Sequence, residues 1–195
     1  MVSNGMPIGD MGGGRGGGEA HGQWRIPLDP ELLARSDLSE FQRSVIAVLL
    51  EVVTVLPADR LRAAVIIPWR GATMHPELHV VLTPTRHGCA EVDVYVEADR
   101  YVRIAAGAHG SYSLPDDVWD PRVANVATFA GQIVRAIVEG KLHETTYFRG
   151  NVPVRWVSEL EVGETPIRIT RAAPLRWILH LWKPNAKAVR SYDAY

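Results

Sequence analysis

Residues 91–106 read EVDVYVEADRYVRIAA, and the alternation in that run constrains the fold more than any other feature of the chain. Val92, Val94 and Val96 alternate with Glu91, Asp93, Tyr95 and Glu97, which is the period of a half-buried strand. A three-residue loop at Ala98, Asp99 and Arg100 would set Val96 opposite Val102, Val94 opposite Ile104 and Tyr95 opposite Arg103. Every aliphatic side chain then lies on one side, and a slip of one residue would turn the whole set outward.

The same logic applies downstream. In TTYFRGNVPVRW, Gly150-Asn151 suits a two-residue hairpin with glycine first, bringing Tyr147 opposite Val154 and Thr145 opposite Trp156. In SELEVGETPIRI, Gly163-Glu164 brings Leu160 opposite Ile167 and Ser158 opposite Ile169. The other face of this meander carries Arg155, Glu159, Glu161 and Arg168, with Glu159 opposite Arg168. The two hairpins agree on which side is the core.

Two segments have helical spacing instead. Ser39 and Gln42 form a capping box ahead of Phe41, Val45, Val48, Leu49, Val52 and Val53, and Pro57 ends the run. A second helix is marked by Asp120 as cap, Pro121 at the first helical position and Gly140 past the end. Its stripe, Val126, Ala130, Ile133 and Ile137 widened by Val123, Ala127, Val134 and Val138, is broad enough to lie on a sheet. The order is one helix, three or four strands, one helix, three strands and a Trp-rich C-terminal segment. This predicts an α+β fold, with a single mainly antiparallel sheet of about six to seven strands and both helices on one face.

Residues 1–22 hold nine of the 17 glycines, with nothing apolar to offset the entropy of ordering them. They are expected to be a disordered Gly-rich leader, followed by one domain over 23–184 and a flexible tail over 185–195. Charged residues are 22% and hydrophobic residues 47%, the balance of a globular chain. A formal net charge of −1 argues against a nucleic-acid partner, since no basic field is present to draw phosphates. No run is long and apolar enough to suggest a membrane span, and the single cysteine fits a reducing, cytoplasmic setting.

Candidate chemistry is sparse. MHPELHVVLTPTRHGC (74–89) gathers His75, His79, His87 and Cys89, but a strand between His79 and His87 would hold them roughly 20 Å apart. That is too far for one tetrahedral metal site, so neither a metal nor another cofactor is expected. Asp116, Asp117 and Asp120 are read as acids favoured by a helix N-terminus. His109 and Ser111 in HGSYS fall in an expected loop, with no orienting acid evident for catalysis.

The chain is therefore read as a non-catalytic protein-binding module, an adaptor of the chaperone or immunity type. Its partner would dock on a sheet face or on the Trp-rich segment through Arg176, Trp177, Leu179, Leu181 and Trp182. An open edge strand would also admit a homodimer by sheet extension. The alternative is a small-ligand binder or enzyme with a pocket between sheet and helices, drawing on Tyr95, Arg103, His143 and Trp156.

Overall fold

The structure, a computed structural model, describes residues 24–67, 77–97, 101–114, 125–163, 165–172 and 184–195. The glycine-rich leader, His75, the acids Asp116, Asp117 and Asp120, and the Trp-rich segment with Arg176, Trp177, Leu179, Leu181 and Trp182 lie outside these residues.

The fold is α+β. Strand β1 (Trp24–Pro27) leads through a 3-10 turn (Pro30–Ala34) to helix α1 (Glu40–Thr54). Five strands come next: β2 (Leu61–Ile67), β3 (Leu78–Pro84), β4 (Val92–Val96), β5 (Val102–Ala106) and β6 (Gly110–Leu114). Helix α2 (Val126–Val138) then precedes β7 (Leu142–Arg149), β8 (Val152–Val162), β9 (Thr165–Ala172) and β10 (Ala186–Ser191).

Among the described residues there are two sheets instead of one, both antiparallel. Strands β1 to β6 form a six-stranded sheet in chain order, and the second sheet has the order β10-β7-β8-β9. The expected register between β4 and β5 holds, with Val94 opposite Ile104 and Tyr95 opposite Arg103. So does that between β8 and β9, where Leu160 faces Ile167 and Arg168 bridges Glu159 at 3.2 Å.

The β7–β8 register differs from expectation. A bulge between Tyr147 and Phe148 shifts the pairing, so Tyr147 faces Arg155 and Trp156 faces Thr146. The extra residue is Val154 of β8, so each β8 residue beyond it meets a β7 partner one position from the one expected. Leu142, Glu144 and Thr146 consequently share the inner face with Leu160, Ser158 and Trp156.

Helix α1 starts as the sequence indicates: the Ser39 hydroxyl accepts from the Gln42 N–H, and the Gln42 side chain accepts from the Ser39 N–H. Helix α2 is capped by Asn125, whose side chain accepts from the Thr128 N–H at 2.8 Å; the expected cap, Asp120, lies outside the described residues. Both helices share one core with the six-stranded sheet. Val45, Ile46 and Leu49 of α1 and Ile133, Val134 and Ile137 of α2 are fully buried against Val65, Val80, Leu82, Val94 and Ile104. Burial of each such side chain is worth roughly 1.5–3 kcal/mol, so this layer is the main source of stability. The helices approach closely at Gly131, where a Cβ would overlap the Val48 side chain.

Of residues 109–113, expected as loop, all but His109 belong to β6. The C-terminal residues, expected as a flexible tail, form β10 against β7 and then turn inward. Tyr192 and Tyr195 are each only 8% exposed. The Tyr195 hydroxyl donates to the Ala90 carbonyl, its N–H donates to the Val138 carbonyl, and the Asp193 N–H donates to the Gly88 carbonyl. Two phenol rings that find buried partners outweigh the polar composition of the segment.

Candidate functional site

The core with α1 and α2 takes one face of the six-stranded sheet, so the alternate residues project from the opposite face. Register places Arg25, Ile66, His79, Tyr95, Arg103 and Ser113 in one row across all six strands. At its centre the His79 ring stacks on Tyr95 with centroids 4.2 Å apart and planes 12° from parallel. From the next strand the Arg103 guanidinium stands 4.4 Å from the same ring's centroid. Asp93 hydrogen-bonds the His79 ring nitrogen Nε2 at 2.7 Å, fixing the imidazole. Burial and the Asp93 charge push the Tyr95 phenol above its usual range, with Arg103 opposing. Its hydroxyl is thus neutral at physiological pH.

Behind this face lies a buried carboxylate that no sequence motif marks. Glu144 of β7 is 3% exposed and projects at the turn between β5 and β6. Its Oε1 accepts from the N–H groups of His109 (2.7 Å) and Gly110 (2.8 Å) and from the Ser158 hydroxyl (3.4 Å). Its Oε2 accepts from the Ala108 N–H (3.1 Å) and the Tyr192 hydroxyl (2.6 Å). The Tyr192 oxygen also accepts from the Ala108 N–H at 2.9 Å. Gly107 opens the turn at φ +63°, and a Cβ there would stand 2.5 Å from the Tyr192 hydroxyl, so only glycine fits. The arrangement ties the two sheets and the C-terminus to one anion. A carboxylate this fully hydrogen-bonded is a structural latch.

The latched turn forms one wall of an open cleft between the sheets, with a volume of about 440 Å³. Ala105, His109 and Ser111 line it from the first sheet, and Trp156 and Arg171 from the second. The His109 and Trp156 rings lie 5.4 Å apart at 44°. Ala105 is two residues from Arg103 on the same face of β5, so the cleft continues the face opposite α1 and α2.

The four residues expected to form a pocket therefore separate. Tyr95 and Arg103 meet, but on the face away from the helices, not between sheet and helices. Trp156 lines the inter-sheet cleft. His143 lies on the outer face of the second sheet, where its Nδ1 is 3.0 Å from the Ser191 hydroxyl. His79 is taken up by Asp93 and Tyr95, while Cys89 donates to the Ala194 carbonyl at 3.4 Å. Among the described residues no three His, Cys, Asp or Glu side chains gather as metal ligands. His109 and Ser111 reach the cleft because they belong to the turn and strand that Glu144 holds.

These features define the class: an α+β protein whose described residues form two antiparallel sheets clamped by a buried carboxylate, with both described helices on one face of the larger sheet. Comparison with known protein families, curated proteins and solved structures gives no match to any of them. Among the described residues no helix is long and apolar enough to cross a membrane.

Proposed function

We propose that the chain is a non-catalytic protein-binding module, an adaptor working in the cytoplasm, whose partner docks on the face of the six-stranded sheet opposite α1 and α2. The observation that carries this reading is the His79–Tyr95–Arg103 stack at the centre of that face. Tyrosine and arginine are the residue types on which binding energy concentrates, because they bury large area and still satisfy polar partners. Neighbouring strands hold these side chains before any partner arrives, which lowers the entropy lost on docking.

The test is site-specific photo-crosslinking of the full chain in its cell of origin. The reactive group is placed at Thr83 or Ser113 on the face opposite α1 and α2, and at Lys187 on the second sheet. The expected result is a discrete protein adduct from the first two positions only. Tyr95→Ala with Arg103→Ala should abolish it while leaving a cooperative thermal transition, an affinity loss on the order of thirtyfold or more. Equal adducts from all three positions, or adducts that survive the double substitution, overturn the reading.

A further inference from the structure

We infer that the cleft between the two sheets is a binding site for a small planar aromatic carboxylate. Its volume of about 440 Å³ suits a ring-sized molecule and not a macromolecular surface. Part of its lining is a pair of π-systems: the His109 and Trp156 rings pack on each other at 44° with centroids 5.4 Å apart and offer an aromatic surface to the cleft. Ala105 and Gly107 leave the floor small and apolar, so a flat ring is accommodated without displacing a side chain.

Charge selects among flat molecules. Arg171 stands at the second-sheet wall, and among the described residues no carboxylate lies within ion-pair distance of it. Its Nη2 makes only a long contact, 3.4 Å, to the Ser111 carbonyl. A ligand carboxylate would replace that contact with a bidentate, charge-assisted pair. Glu144 is the nearest buried anion, but its oxygens already accept five hydrogen bonds from behind the turn. The same geometry disfavours phosphate. The N–H groups of Ala108, His109 and Gly110, the natural cradle for a phosphate, all point at Glu144 and are occupied. One guanidinium and two rings match one carboxylate on one ring.

The pocket is preformed, because its turn is fixed by the latch. None of its residues belongs to the His79–Tyr95–Arg103 stack, so ligand binding in the cleft and partner binding on the sheet face stand or fall separately.

The experiment titrates the full chain with 1-naphthoate and with uncharged 1-naphthamide, following the indole N–H and imidazole resonances by NMR. Naphthoate should shift the Trp156 and His109 signals, and naphthamide should bind about tenfold or more weakly. Arg171→Gln, at an exposed position, should bring the acid down to the level of the amide, while Glu161→Gln should leave both unchanged. The inference is overturned by equal binding of acid and amide, by naphthoate binding unchanged in Arg171→Gln, or by no shift at millimolar probe.

Discussion

Glu144 carries more of the structure than any other polar residue described. Its carboxylate joins β7, the β5–β6 turn, β8 and the C-terminal segment, so substitution there leaves buried donors facing nothing. Glu144→Ala should destabilise the fold by about 3–5 kcal/mol, the range for breaking a buried charged network. Glu144→Gln should fall below that but still weaken it, because its amide group turns a donor toward donors. Urea unfolding of the two variants checks both magnitudes. Tyr112 gives a contrast. It is fully buried, and among the described residues its hydroxyl has no hydrogen-bond partner. Tyr112→Phe should therefore be neutral or stabilising by up to about 1 kcal/mol, and a loss of about 2 kcal/mol or more would contradict that assignment. The sequence held a faint signal for Glu144: it alternates with Leu142 and Thr146 and so puts an acid on the face of an aliphatic residue. Nothing in the sequence marks Tyr192 as its partner, 48 positions away.

At the scale of elements, hairpin registers were legible where the loop is short and the alternation unbroken. That was so for β4–β5 and β8–β9. The β7–β8 register was not legible, because a bulge carries no strong residue signature and Tyr147, Phe148 and Val154 are all acceptable strand residues. Helix α1 was legible from its capping box, which depends only on residues three apart. Ser39→Ala should cost about 1 kcal/mol of stability, read by urea denaturation. The C-terminal strand was misread because β10 is exposed along its whole length and its composition is polar. Its main effect on stability is indirect, since it delivers Tyr192 and Tyr195 to their buried partners. A chain ending at Pro184 removes β10, the Tyr192 hydrogen bond to Glu144 and the Tyr195 anchor, and should lose cooperative unfolding or at least about 4 kcal/mol. A truncated chain with an unchanged transition would show that the segment only decorates the fold.

At the scale of the whole molecule, buried phenols set the alkaline limit of stability. Burial pushes the phenols of Tyr112, Tyr192 and Tyr195 above their ordinary value, and the Glu144 carboxylate adds to the effect at Tyr112 and Tyr192. The folded values are raised above the unfolded value of about 10, so the folded state binds more protons in that range. Stability is then fully present below about pH 10 and falls as the pH rises beyond it, by up to about 1.4 kcal/mol per pH unit for each phenol. Urea midpoints at pH 8, 9.5 and 11 should be level between the first two and drop at the third. The division into two sheets belongs to this scale as well. Inner-face alternation in β7, β8 and β9 suits either one large sheet or a second small one, and only the packing of α2 and the latch selects the second.

What the sequence determined by itself is local. Alternation of period two, helical spacing and a cap three residues from its partner specify β4, β5, β8, β9, α1 and most of α2, because each signal lies within a few residues of its cause. The tertiary structure decided the bulge at Val154 of β8, the split into two sheets, the inward path of Tyr192 and Tyr195, and the cleft lined by His109 and Trp156. Each of these depends on groups far apart in the chain that meet only once the core has formed. A buried donor selects its acceptor by proximity and geometry, and neither is written in the spacing of residues along the chain.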